Sequence, residues 1–228
     1  MKDKVCAIIL AAGSGSRMQL PITKQRLTVL GESLLHRCVR AFDESEVIDY
    51  ITVVTRADEL DYAKNELSDI GKLVSIKEGG KTRADSARAG FSAVPEDTAY
   101  IAIHDGARCY LADNVIEKVV ADAKKYGAAT ASHIVTDTVK RVDGDFITAT
   151  EDRAALRTVQ TPQVFEYGLY KKALESTDGV GMTDDNMLVE NIGGRIYCTE
   201  TGSMNIKITY PEDVRLLEYY LKGDKNEQ

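Results

Sequence analysis

Residues 7–25 read AIILAAGSGSRMQLPITKQ, and this stretch says most about the fold. The apolar run from Val5 to Leu10 is too short for a helix and is followed by glycines, which predicts a buried strand. Glycine and alanine add little bulk to the loop at 11–16, so backbone N–H groups there can approach a ligand closely. Arg17 and Lys24 come next in the chain. Two cations beside such a loop suit a triphosphate, whose leaving group gains negative charge as its bond breaks.

The loop does not match either of two common phosphate-binding loops. A P-loop needs a Gly-Lys-Ser/Thr triplet at its end, and no such triplet closes this loop. A dinucleotide-binding loop needs a third glycine at position 18, where this chain has Met18. The loop therefore binds phosphates in another way, or it is an ordinary turn between a strand and a helix.

Composition sets limits on the class of protein. With 228 residues the chain can bury one sizeable core, so we expect a single domain over residues 1–228. Its formal net charge of −7 argues against general binding to nucleic acid or to a membrane surface, so an anionic substrate needs a local cluster of cations. The four cysteines are widely spaced, and the sequence shows neither a targeting segment nor an apolar run that could span a bilayer. We therefore expect a cytoplasmic protein.

Short apolar segments alternate with helix-like segments up to Val135. This pattern predicts an α/β fold, a Rossmann-like and mostly parallel sheet with helices on both faces. The loops that follow the strands should then lie along one edge, where such folds bind ligands. The predicted strands are 51–54, 74–76, 100–103 and 128–135, and the predicted helices are 57–69, 84–93 and 114–126.

The alternation is interrupted between residues 136 and 153. Two β-type stretches, 139–142 and 146–149, flank Asp143-Gly144-Asp145, which predicts a β-hairpin. This hairpin is either an edge hairpin of the same sheet or a projecting arm used in dimerisation. After it, the sequence predicts helices near 167–176 and 184–191, a last strand at 206–209, and a closing helix that begins at Pro211.

Five segments together carry a resemblance to a known family. They are residues 11–25 (AAGSGSRMQLPITKQ), 79–86 (GGKTRADS), 104–108 (HDGAR), 160–163 (QTPQ) and 205–213 (NIKITYPED). In this order and at these spacings, the chain from Val5 to about Leu221 resembles the 2-C-methyl-D-erythritol 4-phosphate cytidylyltransferases. That family belongs to the methylerythritol phosphate pathway to isoprenoid precursors.

The resemblance implies a nucleotidyltransferase fold and the transfer of CMP from CTP to 2-C-methyl-D-erythritol 4-phosphate, with release of pyrophosphate. The acceptor phosphate attacks the α-phosphorus of CTP, and protein cations and Mg²⁺ stabilise the charge that develops. Such chemistry needs positioning more than a general base. The residues implied as catalytic are Arg17, Lys24, Arg153 and Lys207. Those implied for CTP binding are Ala11, Ala12, Gly13, Gly15, Gly80, Lys81, Arg83 and Ser86.

The resemblance also implies a site for the polyol phosphate. Asp105 directly follows an apolar strand, and its carboxylate is expected to hold Mg²⁺ or a substrate hydroxyl. In the family the arm crosses to a second subunit, so Thr138 and Arg153 are expected to reach the substrate of the partner in a homodimer. Arg153 suits a phosphate because its planar guanidinium can bond to two oxygens. The full set for the sugar phosphate is Asp105, Gly106, Arg108, Thr138, Thr161 and Thr183.

Two other functions remain open at this point. One is a sister cytidylyltransferase that acts on ribitol 5-phosphate, which shares the CTP-binding half. The other is a non-catalytic nucleotide-binding protein of the same fold. Segments 183–190 and 202–207 look more like the methylerythritol enzyme, and the set of cations argues against a non-catalytic protein.

Some polar residues have plainer explanations. Asp184 and Asp185 suggest a metal pair, but a helix start explains them better, because the helix dipole favours carboxylates there. His104 is predicted to be structural. Three residues depart from the family pattern. Thr23 and Cys109 stand where the family usually has proline, and Gly106 stands where it usually has alanine.

Overall fold

Strands and helices alternate along the chain, as described by the computed structural model for residues 3–13, 15, 18, 22–112, 114–177 and 181–223. The strands are β1 (Lys4–Leu10), β2 (Thr28–Val29), β3 (Glu32–Ser33), β4 (Tyr50–Thr55), β5 (Leu73–Glu78), β6 (Thr98–Asp105), β7 (Ala128–Ile134), β8 (Lys140–Asp143), β9 (Phe146–Thr150), β10 (Arg157–Glu166) and β11 (Tyr197–Glu200). The α-helices are α1 (Leu34–Glu44), α2 (Leu60–Glu66), α3 (Arg83–Phe91), α4 (Val115–Tyr126), α5 (Tyr167–Glu175), α6 (Asp185–Asn191) and α7 (Pro211–Gly223). Short 3₁₀ helices lie at Lys24–Arg26, Ala57–Glu59 and Arg153–Ala155. No helix in the described ranges is long and apolar enough to cross a bilayer.

A seven-stranded sheet, in the order β11-β7-β10-β6-β1-β4-β5, organises the fold. β10 runs antiparallel to both of its neighbours, and the other pairs are parallel. Leu10 pairs with Val54 on one side and with Asp105 on the other. The carboxyl ends of β1, β4 and β6 therefore lie at the same edge of the sheet. The predicted α/β fold with a mostly parallel sheet is confirmed.

The core lies on both faces of the sheet, because alternate residues of a strand point to opposite sides. In β1, Val5, Ala7 and Ile9 pack on one face together with α1, α2, α4 and α7. Cys6 and Ile8 pack on the other face together with α3, α5 and α6. The predicted arrangement, with helices on both faces, is confirmed.

Strand β10 is not apparent in the sequence. It contains Pro162, which has no N–H to donate to a ladder and is unusual inside a sheet. The pairing with β7 shifts register between Val159 and Gln163, so the proline lies at an irregularity of the ladder. A strand interrupted in this way lacks the regular alternation by which strands are recognised.

The strand predicted at 206–209 is wrong. These residues lie outside the sheet, in which β11 is the edge strand next to β7. Ile208 donates its backbone N–H to Ala107 O over 2.8 Å, and Asn205 Nδ2 donates to Thr161 O over 2.7 Å. The segment at 204–209 therefore packs against the loop that follows β6 instead of adding a strand to the sheet.

The predicted hairpin forms, and it stands apart from the central sheet. β8 and β9 pair only with each other among the described residues, with Gly144 in the turn at φ +56°. Every residue of both strands is exposed, and Phe146 has an exposed fraction of 81%. The alternative of an edge hairpin of the main sheet is therefore wrong, and the hairpin is a projecting arm.

Helix α3 packs closely on the sheet through a glycine. A Cβ atom at Gly90 would lie 2.4 Å from Ile8 Cγ2 and 2.9 Å from Val54 Cγ2. Real Cβ contacts are longer than this, so the close approach requires glycine. Its consequence is that the start of α3 lies beside the loop that follows β1.

Gly90→Ala is expected to lower the free energy of unfolding by about 1–3 kcal/mol, because the added methyl group overpacks the core. The matched control is Gly168→Ala in α5, where the nearest atom to a new Cβ is Glu166 Oε1 at 3.8 Å. The control should be as stable as wild type or more stable, since alanine has the higher helix propensity. Urea unfolding curves measure both values. A Gly90→Ala midpoint at or above that of wild type would contradict the close packing.

Candidate functional site

A cavity of about 470 Å³ opens at the carboxyl edge of the sheet. The loop after β1, the first turn of α3 and the end of β6 form most of its wall. All residues predicted for CTP line it except Ala11, which is buried and donates its N–H to Val54 O over 2.7 Å. The lining residues are Leu10, Ala12, Gly13, Gly15, Lys24, Gln25, Gly80, Lys81, Thr82, Arg83, Ser86, Asp105, Ala107, Lys207 and Thr209.

Two adjacent glycines shape one end of this cavity. A Cβ atom at Gly79 would lie 2.5 Å from Ala12 Cβ, and one at Gly80 would lie 2.2 Å from Asp85 Cβ. Helix α3 begins directly afterwards with a capping box, in which Thr82 and Asp85 bond to each other's backbone N–H groups. The close contact of Gly79 with Ala12 therefore holds the backbone at 79–82 against the loop after β1.

Lys24 lies at another wall of the same cavity. Its Nζ donates to Ile208 O over 2.9 Å, which places the ammonium group between the 3₁₀ helix Lys24–Arg26 and the segment at 204–209. Arg17, which the sequence predicts to act with Lys24, lies outside the described residues.

A second cavity of about 290 Å³ adjoins the first. The two cavities share Arg83, Asp105 and Lys207. Most residues predicted for the sugar phosphate lie here, but Gly106 lines neither cavity and donates its N–H to Leu10 O over 2.9 Å. The residues that line the second cavity are Arg83, Asp105, Arg108, Val159, Gln160, Thr161, Gln163, Thr183, Asp184 and Lys207.

Asp105 lies where the two cavities meet. Lys207 Nζ donates to its Oδ2 over 2.6 Å, and Arg83 Nη2 lies 3.5 Å from its Oδ1. Burial acts to raise the pKa of Asp105, but the positive charges of Arg83 and Lys207 outweigh burial and hold the pKa at about 2. The carboxylate is therefore ionised at neutral pH.

The surroundings of Asp105 set a condition on the metal-binding role predicted for it. Each of its oxygens already faces a cation. In the described part of the chain, no group of three or more His, Cys, Asp or Glu side chains could hold an ion. Mg²⁺ is usually bound by one or two carboxylates together with waters and substrate phosphates, so Asp105 would have to give up a cation partner to bind the ion. The other expectation from the sequence, a bond from a substrate hydroxyl, is compatible with an ionised carboxylate at this position.

A second carboxylate holds Arg83 from the opposite side. Asp185 is 1% exposed and forms an ion pair with Arg83 Nη1. Tyr170 Oη donates to Asp185 Oδ1 over 2.6 Å, and the backbone N–H of Asp185 donates to Gln163 Oε1 over 3.0 Å. The helix-start interpretation applies to Asp184, whose side chain caps α6. The same interpretation does not reveal that Asp185 pairs with Arg83, because Arg83 is 102 positions away in the sequence and no local spacing indicates the pair.

The four side chains Asp185, Arg83, Asp105 and Lys207 form a row of alternating charge, which we call the charge row. They come from α6, α3, β6 and the segment at 204–209, respectively. The planar guanidinium of Arg83 can bridge two carboxylates because its N–H donors point in fixed directions. The row carries no net charge, so its buried groups are compensated within it.

Arg108 differs from the cations of the charge row. Its Nη1 donates to a neutral partner, Asn205 O, over 2.6 Å, and among the described residues no carboxylate forms an ion pair with it. Burial lowers the pKa of Arg108, and the attraction of Asp105 opposes that effect only in part. A partly buried cation of this kind is suited to an anionic ligand in the second cavity.

His104 is buried and structural, as the sequence predicts. Its Nε2 donates to Arg108 O over 2.9 Å, since a carbonyl oxygen can only accept. Its Nδ1 then accepts from Thr161 Oγ1 over 3.1 Å, and the same hydroxyl oxygen accepts the N–H of Asp105 over 3.0 Å. Burial lowers the pKa of His104 to about 4, so the ring is neutral at physiological pH. The imidazole therefore fixes the end of β6 against β10.

The arm residues do not join the site of their own chain. Neither Thr138 nor Arg153 lines either cavity. Arg153 is exposed and donates through Nη1 to Thr136 O, at the base of the arm. Within one chain, the structure therefore brings together most of the predicted residues of both cavities but leaves Thr138 and Arg153 away from them.

Comparison with known proteins agrees with this geometry. A family model described as 2-C-methyl-D-erythritol 4-phosphate cytidylyltransferase (IspD) matches residues 5–223. A protein of that name from Clostridium novyi is 41% identical over 231 residues, which cover 98% of this chain and 99% of the relative. Another from Lachnospira eligens is 40% identical over 225 residues, with coverage of 95% and 99%. The crystal structure of 4-diphosphocytidyl-2C-methyl-D-erythritol synthase from Anaerococcus prevotii has a TM-score of 0.86 and 28% identity, and covers 96% of this chain and 99% of its own.

These similarities extend over almost the whole chain, and the matched range 5–223 spans its five motif segments and the lining of both cavities. The chain therefore belongs to the 2-C-methyl-D-erythritol 4-phosphate cytidylyltransferase family.

Proposed function

We propose that this chain transfers CMP from CTP to 2-C-methyl-D-erythritol 4-phosphate, giving 4-diphosphocytidyl-2-C-methyl-D-erythritol and pyrophosphate. The observation that carries the proposal is the meeting of two cavities at Asp105 and Lys207, in a chain of this family. Two substrates held in adjoining cavities can present a phosphate oxygen of one to the α-phosphorus of the other. Holding them in this geometry accounts for much of the catalysis that such a reaction needs.

The larger cavity is suited to the nucleotide. Small residues, Ala12, Gly13 and Gly80, form one end of this cavity, and we propose that this end receives the cytosine base, which is smaller than a purine. Lys24 lines the same cavity and can meet the triphosphate, and we propose that Arg17 acts with it. These cations would stabilise the negative charge that develops on the leaving pyrophosphate.

The smaller cavity is suited to the polyol phosphate. Arg108 and Lys207 supply positive charge there, and Thr161 and Thr183 line it. The ionised Asp105 can accept a hydrogen bond from a hydroxyl group of the polyol. His104 is buried and neutral and lines neither cavity, so it is not proposed as a base.

Mg²⁺ is expected from the resemblance. Since the described residues contain no cluster of metal ligands, we propose that the phosphate oxygens of CTP themselves hold this ion. The protein's contribution is then the positioning of the phosphates by Lys24 and Lys207.

The arm supports a homodimer. Its apolar side chains Val142, Phe146 and Ile147 have exposed fractions of 57%, 81% and 65%, which is costly in water unless a partner covers them. Thr138 and Arg153 flank the arm and lie away from both cavities of their own chain. We therefore propose that the arm crosses to a second copy and that Arg153 completes the partner's smaller cavity.

Charge and cysteine content support the remaining expectations. The formal net charge of −7 gives no reason to expect nucleic acid as a partner. Four free thiols, three of them buried, are typical of a reducing compartment and support a cytoplasmic location.

Lys24→Ala should lower kcat about 10²–10³-fold, because it removes one preorganised cation from the developing charge. Arg17→Ala should act in the same direction. Lys64→Ala is the matched control, since that ammonium is 62% exposed and pairs with Asp61 on the surface. Steady-state release of pyrophosphate measures all three variants. A normal kcat in Lys24→Ala would refute its catalytic role.

Arg153→Ala should raise the KM for the polyol phosphate and leave the affinity for CTP nearly unchanged. At a polyol phosphate concentration far below the KM of Arg153→Ala, where both variants are nearly inactive, mixing Arg153→Ala chains with Lys24→Ala chains should restore about a quarter of wild-type activity. Half of the random dimers are then mixed, and each mixed dimer has one intact site of two. Lack of recovery after confirmed subunit exchange would count against a site shared between two chains.

The acceptor is tested by offering 2-C-methyl-D-erythritol 4-phosphate and ribitol 5-phosphate in parallel, with CTP and Mg²⁺. Turnover of the first alone is expected. Turnover of ribitol 5-phosphate alone would show that it is the acceptor, and it would leave the proposed nucleotide site unchanged. Binding of CTP without turnover of either would overturn the proposed reaction.

A further inference from the structure

The charge row contains one group that the proposed reaction does not use. Asp185 lines neither cavity, yet it is an almost fully buried carboxylate in a short helix that is far from the glycine loop in the sequence. Burying a charge is costly unless it is paired and hydrogen-bonded, so its retention needs a physical reason.

We propose that Asp185 is a positioning residue, which fixes the guanidinium of Arg83 and thereby sets the Asp105 carboxylate where the two cavities meet. This inference rests on the proposed function, because it assigns Asp185 to the geometry of that reaction. Asp185 does not touch a substrate. It acts through Arg83 alone.

The first step of the argument is the rigidity of Asp185 itself. Tyr170 Oη donates to its Oδ1, its Oδ2 pairs with Arg83, and its backbone N–H is bound by Gln163 Oε1. Gln163 Nε2 also donates to Asp184 Oδ2 over 2.8 Å, which ties the start of α6 to β10. Asp185 is therefore fixed through both its side chain and its backbone, and its carboxylate has a defined position relative to the sheet.

The second step concerns where Arg83 would go without this carboxylate. Arg83 Nη2 lies 3.5 Å from Asp105 Oδ1, a longer separation than the 2.6 Å between Lys207 Nζ and Oδ2. Asp185 thus shares the guanidinium and keeps it from closing fully on Asp105. If the charge of Asp185 were removed, Arg83 would have Asp105 as its one remaining carboxylate in the charge row. The Asp105 carboxylate would then turn away from Lys207 and from the substrate hydroxyl.

The third step separates this role from binding of the nucleotide. The base is placed at the end of the larger cavity formed by Ala12, Gly13 and Gly80, where the backbone is set by glycine contacts and by the Thr82 capping box. Neither depends on the Asp185 pair. Loss of that pair should therefore affect the polyol phosphate more than CTP.

The test begins with Asp185→Asn, which keeps the size and the acceptor oxygen for Tyr170 but removes the charge. The KM for the polyol phosphate should rise about tenfold, within the range of interaction energies found in one salt-bridge network, while the KM for CTP changes less than about threefold. The matched control is Val189→Ala, which removes buried methyl groups from the same helix and leaves the charge row intact. It should lose stability but keep wild-type kinetics. If Asp185→Asn also keeps wild-type kinetics, Asp185 is merely structural and the proposal is overturned.

A double-substitution cycle tests whether Asp185 acts through Arg83. Arg83→Gln alone should lower kcat/KM for the polyol phosphate, and adding Asp185→Asn to it should lower it no further. If the two losses multiply, Asp185 acts independently of Arg83 and the proposal fails.

A readout that does not require turnover separates this proposal from the proposed function. In ¹⁵N NMR spectra of the wild-type protein, the Arg83 side-chain N–H signals should be protected from solvent exchange by the two carboxylates. Asp185→Asn should lose the part of this protection that Asp185 gives to Nη1, and Val189→Ala should keep all of it. Protection unchanged in Asp185→Asn would overturn the positioning role even if wild type is active. If the wild type turns over neither acceptor but its Arg83 signals are protected, and Asp185→Asn reduces that protection, the positioning role is supported and only the reaction is overturned.

Discussion

The parallel pairing of β1 with β6, which sets Leu10 beside Asp105, is the constraint on which the site depends. Neighbouring strands lie about 4.8 Å apart, so the glycine loop after β1 and the carboxylate at the end of β6 begin as neighbours at one edge. Other elements are added to this edge by specific contacts. Gly90 lets α3 approach closely, and the bond from Ile208 N–H to Ala107 O brings the segment at 204–209 against the same loop.

Electrostatics explains how an acidic chain can hold two anionic substrates. The formal net charge of −7 repels phosphates at long range, so binding depends on local cations. Arg83 is neutralised by two carboxylates and therefore serves geometry more than attraction. Arg108, bonded to the neutral Asn205 O, keeps an uncompensated charge facing the smaller cavity. Lys207 combines the two functions, because it pairs with Asp105 and also lines the smaller cavity.

Patterns that are local in the sequence predicted much of this structure. Apolar runs that end near glycine or aspartate predicted strands β1 and β6, and the Asp143-Gly144-Asp145 turn predicted the arm. In each case neighbouring residues determine the conformation. The sequence predictions that failed concern segments whose conformation depends on contacts between residues distant in the chain. The proline in β10 breaks the alternation of a strand that only its two neighbours stabilise, and the apolar residues at 206–209 are buried against a loop although they resemble a strand. Most predicted residues of both cavities came together, whereas the partner of Arg83 could not be found from spacing.

The charge row also explains why the site forms only with the complete fold. Its members come from α6, α3, β6 and the segment at 204–209, so no part of the chain can assemble it alone. Each ion left without its neighbour would bear the full cost of desolvation, whereas the assembled row compensates every buried charge. The desolvation cost of these ions is offset when the chain folds, before substrates bind. The carboxylate and cations at the meeting point of the cavities are then already oriented, which is the condition under which fixed charges stabilise a transition state most effectively.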